Sequence, residues 1–416
     1  MKPEPVRLPD PDWLTRGPLA RLLSVLDRDG EEARVVGGAV RDALLGRAVR
    51  EIDIATTAEP AEVTRRAAAE GFKTVPTGID HGTVTIVVGG AAFEVTTLRE
   101  DVETFGRKAV VRFGRDWRLD AERRDFTMNA LSAARDGVVH DYVGGIADLR
   151  ARRVRFIGDP ARRIAEDYLR ILRFFRFHAA YGHGEPDRAA LHACIVARCG
   201  LGRLSRERVR MELLRLMTAS GAGPAVAVMA EAGLLGAVIG GVSLVSAFVA
   251  MAALEAALGL EPDAVRRLGA LGVTVAEDAE RLWQRLRLSN EEHERLGSMA
   301  DHWWRISPAI DTGQARTLLY RLGSQQYGDR VLISWARSGA PPDDAHWRDL
   351  LRLPERWTVP VFPIKAADLL ARGVVKGPGL GKALGAAEER WIAAGFPHSP
   401  EALQKIADAA AAAALG

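Results

Sequence analysis

Two carboxylates one residue apart, Glu51 and Asp53, are the first residues of this chain with the spacing to do chemistry. Residues two apart on a strand share a face. A strand over 51–55 therefore sets Glu51 and Asp53 side by side, with Ile52 and Ile54 toward a core. Paired carboxylates repel unless positive charge sits between them. Hard divalent cations, Mg²⁺ above all, take oxygen ligands and usually arrive with substrate phosphates. An acidic-x-acidic triplet alone is more often a solvated strand face, so its meaning depends on the segment before it. There Val35-Val36 end a strand, Gly37-Gly38 turn tightly, and 39–45 reads as a helix stopped by Gly46. A glycine turn running into a helix offers bare N–H groups and a positive dipole end to a phosphate. Arg41 adds a guanidinium suited to phosphate oxygens. The turn and the carboxylate pair together place a triphosphate beside its metal.

The elements that must hold these residues follow a mixed pattern. A Pro-rich stretch and a helix over 18–29 lead in, and a helix from Pro60 to about Glu70 follows the carboxylates, with its proline in the first turn. Three strand-like runs come next, over 72–76, 82–88 and 92–98, the last two joined at Gly89-Gly90. Glu94, among Phe93, Val95 and Leu98, reads either as a third carboxylate of a two-metal site or as a surface residue. Residues 100–120 show little periodicity and suggest a mobile basic loop; 123–133 suggests a helix opened by Asp125. Gly144-Gly145 suggests a flexible joint between head and helices, followed by a short strand over 153–157. A single long helix is expected from Asp159-Pro160 to Tyr181. At about 100° per residue, Ile164, Tyr168, Ile171, Leu172 and Phe175 share a core side, while Arg170, Arg173 and Arg176 form an arc with Asp167 at its edge. A charged outer face ordinarily explains such an arc. From Asp187 onward everything reads as helices with Gly, Pro or Ser breaks. Trp303, Trp304, Trp335, Trp347 and Trp357 are expected in cores.

Four stretches appear in order: Gly37-Gly38-Ala39-Val40-Arg41-Asp42 with Glu51-Ile52-Asp53; Arg123-Arg124-Asp125-Phe126-Thr127-Met128-Asn129; Asp141-Tyr142-Val143-Gly144-Gly145-Ile146-Ala147-Asp148; and Glu166-Asp167-Tyr168-Leu169-Arg170-Ile171-Leu172-Arg173. Together they resemble the class II tRNA nucleotidyltransferase and bacterial poly(A) polymerase family, over residues 34–181 and more weakly at the C-terminus. One position departs from the family: Glu51 stands where Asp is usual, one methylene longer. The resemblance implies an α+β protein with a small mixed-sheet, polymerase-β-like head and an all-helical remainder. The expected divisions are a lead-in (1–33), a nucleotidyltransferase head (34–150), a neck with a base-selecting helix (151–220), a body (221–310) and a tRNA-binding tail (311–416).

The resemblance further implies template-independent addition of CCA to tRNA 3′ ends from CTP and ATP, with release of pyrophosphate. Glu51 and Asp53 would hold Mg²⁺, joined by Glu94 if it is the third carboxylate and not a surface residue; Gly37, Gly38 and Arg41 the triphosphate; Arg123, Arg124, Asp125 and Asn129 the nucleotide sugar and phosphates. Asp167 and Arg170, with Arg173 and Arg176 near them, would form a protein template. The chemistry of the bases agrees, since cytosine and adenine each present an amino donor beside a ring-nitrogen acceptor. A carboxylate and a guanidinium three apart on one helix complement that edge, and uracil and guanine mismatch it. A simple ion pair within the helix is the plainer reading. A poly(A) polymerase, a split CC- or A-adding enzyme, and a non-catalytic RNA-binding module remain alternatives.

Composition sets bounds on these readings. Net charge is only +3 over 416 residues, but arginines crowd between Arg107 and Arg215, as suits an RNA or nucleotide partner. No run of eighteen apolar residues suggests a membrane span, and the start lacks a signal-peptide pattern, so the cytoplasm is expected. Cys194 and Cys199 assemble no zinc set and read as reduced thiols. Oligomeric state is left undefined.

Overall fold

The computed structural model describes residues 5–78, 82–105 and 108–415. Two compact units emerge, one of residues 1–245 with 284–287, the other of 246–283 with 288–416.

The first unit opens with α1 (Asp12–Thr15) and α2 (Gly17–Leu26), then β1 (Ala33–Val36), α3 (Gly38–Leu44), β2 (Asp53–Thr56) and α4 (Pro60–Ala69). β3 (Lys73–Gly78), β4 (Thr83–Val88) and β5 (Ala91–Thr97) follow, and a seven-stranded sheet forms in the order β3-β4-β5-β2-β1-β8-β9. Its last two strands are the short β8 (Ser132–Ala133) and β9 (Val139–His140). Among the described residues only β2 and β5 pair in parallel, which makes the sheet mixed, as expected. Strand β4 shows the period-two logic plainly: Val84, Ile86 and Val88 are buried and alternate with half-buried residues. The turn into β5 uses Gly89 and Gly90 at φ 57° and 83°, the left-handed pair that a two-residue hairpin requires.

Four local expectations change between residues 100 and 157. Where a basic loop was expected, β6 (Arg99–Phe105) and β7 (Lys108–Phe113) form a separate two-stranded sheet, followed by α5 (Trp117–Glu122) capped by Asp116. Gly106 and Arg107 of that stretch lie outside the described residues. The expected helix over 123–133 is instead a 3₁₀ turn, Thr127–Asn129, leading into β8; Asp125 does not cap it. Phe126 pairs with Phe156 as an isolated bridge, the remnant of the expected 153–157 strand. The presumed flexible joint is densely tied. Both oxygens of Asp141 together accept the N–H groups of Val143, Gly144, Gly145 and Ile146. In α6 (Gly145–Arg150), a Cβ at Gly145 would meet the Thr127 carbonyl oxygen at 2.2 Å, so only glycine fits.

The expected long helix is two helices. α7 (Pro160–Glu166) starts at the Asp159 cap, α8 runs Leu169–Tyr181, and Asp167 between them is extended at φ −156°, ψ 108°. The Asp167 carboxylate accepts the Leu169 N–H at 3.1 Å, a local bond that competes with continuing the helix. α8 is buried on more than one side, with Ile171, Leu172, Phe174 and Phe175 all at most 1% exposed. α9 (Arg188–Val196) and α10 (Arg206–Met217) follow.

The second unit is helical. A capping box at Ser289 and Glu292 starts Asn290–Ala300, and a kink at Gly323 interrupts Thr312–Ser338. One core gathers around the fully buried Trp391. Trp335 and Trp347 are buried as expected, but Trp304 is 56% exposed. Among the described residues no helix is long and apolar enough to cross a membrane.

Candidate active site

The sheet brings the acidic residues and the glycine turn to one place. Asp53, first residue of β2, pairs with Val36 on one side and with Glu94 on the other. Val36 is followed directly by Gly37, so turn, Asp53 and Glu94 lie on three neighbouring strands at one level. Glu51 precedes β2 rather than belonging to it, because β2 pairs only from Asp53 onward. Its charge still acts on Asp53. The Asp53 carboxyl is pushed up, first by burial, then by Glu94, and also by Glu51, while Arg124 pulls it down. Solvent reaches Asp53, yet enough protein surrounds it for desolvation to dominate.

This donor set is all carboxylate oxygen with little cationic compensation, which fits a hard divalent cation. Among the described residues no three His, Cys, Asp or Glu side chains already close around one point. The fit therefore rests on the strand register and on the mutual repulsion felt at Asp53.

The turn is held by its backbone. Gly37, at φ 71° and ψ −123°, donates its N–H to the Leu131 carbonyl at 2.9 Å. A Cβ there would be strained and would stand 3.5 Å from Arg124 Nη1. One at Gly38 would stand 3.5 Å from Arg41 Nη2. Arg124 is anchored through Nε and Nη2 to Asp120, which also holds Arg123. Asp120 is 3% exposed; burial raises its pKa, but the two arginines outweigh this and hold it low.

Arg41 departs from the sequence picture of a free phosphate grip. It is 6% exposed and donates to Asp42, to Asn129 Oδ1 at 2.7 Å and to the Tyr181 hydroxyl at 2.6 Å. Asn129 in turn donates to Asp125 Oδ1 at 3.1 Å, and Arg173 donates to Asp125 Oδ2 at 2.7 Å. Burial raises the Asp125 carboxyl, but Arg173, Asn129 and the Phe126 N–H bring it below its ordinary value.

The expected Asp167–Arg170 edge on one helix is not found, since the helix breaks at Asp167. Arg208 of α10 takes both Asp167 oxygens, at 3.2 and 2.5 Å. Arg170 instead donates to Glu166 at 2.5 Å and to the Arg163 carbonyl at 2.7 Å. Across the break the two residues are joined through the backbone, by a bond from Arg170 N–H to the Asp167 carbonyl at 3.0 Å. Nor is the arginine arc a solvent face. Arg173 and Arg176 both reach the buried Glu212 of α10, at 3.4 and 2.5 Å. Sequence reasoning missed Arg208, Glu212 and Tyr181. The one available signal was that Arg208 and Glu212 stand four apart and share a helix face.

Residues 33–155 match the family model described as the poly A polymerase head domain. Over 397 residues the chain is 32% identical to CCA tRNA nucleotidyltransferase 1, mitochondrial, of Mus musculus, with 91% of this chain and 87% of the relative covered. It is 32% identical to the CCA-adding enzyme of Latilactobacillus sakei over 411 residues, covering 93% and 96% of the two chains. Its fold is similar to the Bacillus stearothermophilus CCA-adding enzyme crystallised with CTP, with a TM-score of 0.74, 28% identity, and 95% and 94% coverage. With that agreement in sequence and fold, the chain belongs to the tRNA nucleotidyltransferase and poly(A) polymerase family.

Proposed function

We propose that this chain adds C, C and A to the 3′ end of tRNA, taking CTP and ATP and releasing pyrophosphate. The observation that carries the reading is the strand register, in which Asp53 lies between Glu94 and the strand that ends at the Gly37 turn. Relatives that match nearly the whole chain are CCA-adding enzymes, and the similar B. stearothermophilus structure holds CTP.

Asp53, Glu94 and Glu51 would hold Mg²⁺, which when bound activates the attacking 3′-hydroxyl and neutralises the departing pyrophosphate. The remaining work is positioning and charge stabilisation by the protein. The N–H groups after Gly37 and Arg124 Nη1, which stands against that turn, face the triphosphate. The Asp125–Asn129–Arg41 relay holds the sugar side of the pocket. Asp167, fixed by Arg208, and Arg170 would read the base once Arg170 turns from Glu166 toward it, with Arg173 and Arg176 braced on Glu212. Arg123 acts through Asp120. The α-helical second unit docks the tRNA, and the cytoplasm is the compartment proposed.

The test is incubation of the protein with tRNA lacking its last three nucleotides, CTP, ATP and Mg²⁺, followed by sequencing of the 3′ ends. Completed CCA ends support the reading. Ends that stop at CC, ends that gain A only on a CC primer, or long A tails each assign a different member of the family.

A further inference from the structure

Tyr181 is the last residue of α8, and none of the four matched motifs contains it. Two guanidiniums bear on its ring: Arg41 lies 4.0 Å and Arg47 4.7 Å from the centroid. The Arg41 Nη2 also donates to its hydroxyl at 2.6 Å. Arg47, just past the end of α3, donates to the neighbouring Ala180 carbonyl at 3.0 Å. Phe177, one turn earlier, stacks on Tyr181 at 5.8 Å and sits under Arg173 and Arg176. Burial, and after it Asp42, raise the phenol's pKa against the pull of Arg41 and Arg47.

Both arginines belong to the helix that starts at the glycine turn, or to its exit. The other end of α8 is the break carrying Asp167 and Arg170. Thirteen helical residues form a rod about 20 Å long at about 1.5 Å each. We propose that Tyr181 is a positioning residue that fixes the spacing between the phosphate-binding turn and the base-reading break, so that one nucleotide spans both correctly. The proposal rests on the nucleotidyltransferase reading above. A nucleotide held at its two ends tolerates little error: about 1 Å of misplacement can cost about a hundredfold in rate. Another tie between head and α8, Asp125 with Arg173, lies two turns nearer the break, while at the C-terminal end Arg41 holds the Tyr181 hydroxyl and Arg47 the Ala180 carbonyl.

The experiment compares single-nucleotide incorporation of CTP, ATP, UTP and GTP by wild type, Tyr181→Leu, Tyr181→Phe and Arg47→Ala, with a thermal melt of each. Tyr181→Leu is expected to lower kcat/KM for CTP and ATP about ten- to a hundredfold, mostly in kcat, and to shrink the CTP-over-UTP preference about fivefold or more. Tyr181→Phe keeps the ring and should recover most of both. Arg47→Ala, on an exposed residue outside the proposed pocket, should shift the preference in the same direction by less. If Tyr181→Leu does not fold, Arg47→Ala decides. A variant that melts lower but keeps the wild-type CTP-over-UTP ratio shows a merely structural role and overturns the proposal. Wild type that extends no trimmed tRNA overturns the functional reading itself, and the spacer with it; an active wild type with unchanged variant ratios overturns the spacer alone.

Discussion

Asp53→Asn should make the protein slightly more stable and almost inactive. In the folded chain the Asp53 carboxyl lies above its ordinary range because burial, Glu94 and Glu51 oppose its charge. The fold therefore holds that proton more tightly than the unfolded chain does. This group's contribution favours folding below the unfolded pKa and is lost as pH rises through the raised folded value. At neutral pH the ionised carboxylate thus works against folding, and asparagine relieves it at nearly equal size. Like charges on neighbouring strands cost about 0.2–1 kcal/mol; solvent reaches Asp53, so the lower half of that range applies. For a unit of this size, about 2–4 °C per kcal/mol converts this to a Tm rise of about 1 °C in metal-free buffer at neutral pH. As pH falls through the raised pKa the gain should shrink and then vanish, because wild-type Asp53 takes up its proton there. Mg²⁺ should raise the wild-type Tm and leave the variant unmoved. Turnover should fall about a thousandfold, the equivalent of several kcal/mol of lost charge stabilisation. Calorimetry with and without Mg²⁺ and single-turnover CTP incorporation read both effects. A variant less stable than wild type at neutral pH, or one that turns over normally, would refute the reasoning.

Glu51→Asp should retain activity, since both side chains are oxygen donors; an inert variant in the same incorporation assay would remove Glu51 from metal binding. Gly37→Ala forces a Cβ onto a left-handed residue, which costs about 1–2 kcal/mol and should lower Tm and weaken triphosphate binding together; normal CTP affinity would count against the phosphate turn. Asp167→Ala should narrow the advantage of CTP and ATP over UTP and GTP, by about 5- to 150-fold for a lost bidentate contact, while some chemistry survives; a strict preference in a normally melting variant would count against base reading. The affinity for tRNA should fall steeply between low and physiological salt, as phosphate contacts require; a salt-independent affinity in a filter-binding titration would contradict docking through the backbone.

Local rules made the head legible. The Gly37-Gly38 turn, the Gly89-Gly90 hairpin and the alternation in β4 each follow from one residue's conformational freedom or from period two. The parallel pairing that sets Glu94 beside Asp53 joins residues 41 apart in the chain, and no local pattern specifies it. For the same reason β8 and β9, two residues each, carried no periodic signal. The break at Asp167 was hidden because 160–181 keeps helical periodicity on both sides of it. What ends the first helix is a carboxylate held by Arg208, forty-one residues downstream.

The arginine arc carries the deeper lesson about this fold. A stripe of arginine on a helix normally marks water, because an unpaired buried charge is costly. Here the costs are offset in pairs by acids supplied from elsewhere: Asp125 from the head for Arg173, and Glu212 from α10 for Arg173 and Arg176. Arg41, Asn129, Asp125, Arg173, Glu212 and Arg176 thereby form one continuous hydrogen-bonded chain from the glycine turn to the neck. Low local dielectric makes each bond in such a chain stronger and each unpaired member more costly. Removing one member leaves its neighbour in the chain short of a hydrogen bond, and for Asp125, Arg173, Glu212 or Arg176 short of an opposite charge, so the penalty spreads along the chain instead of staying local. A rigid polar relay of this kind suits a site that must present one fixed hydrogen-bonding edge to successive nucleotides. An apolar core would hold the same helices together, but it would not fix the direction in which their donors and acceptors point.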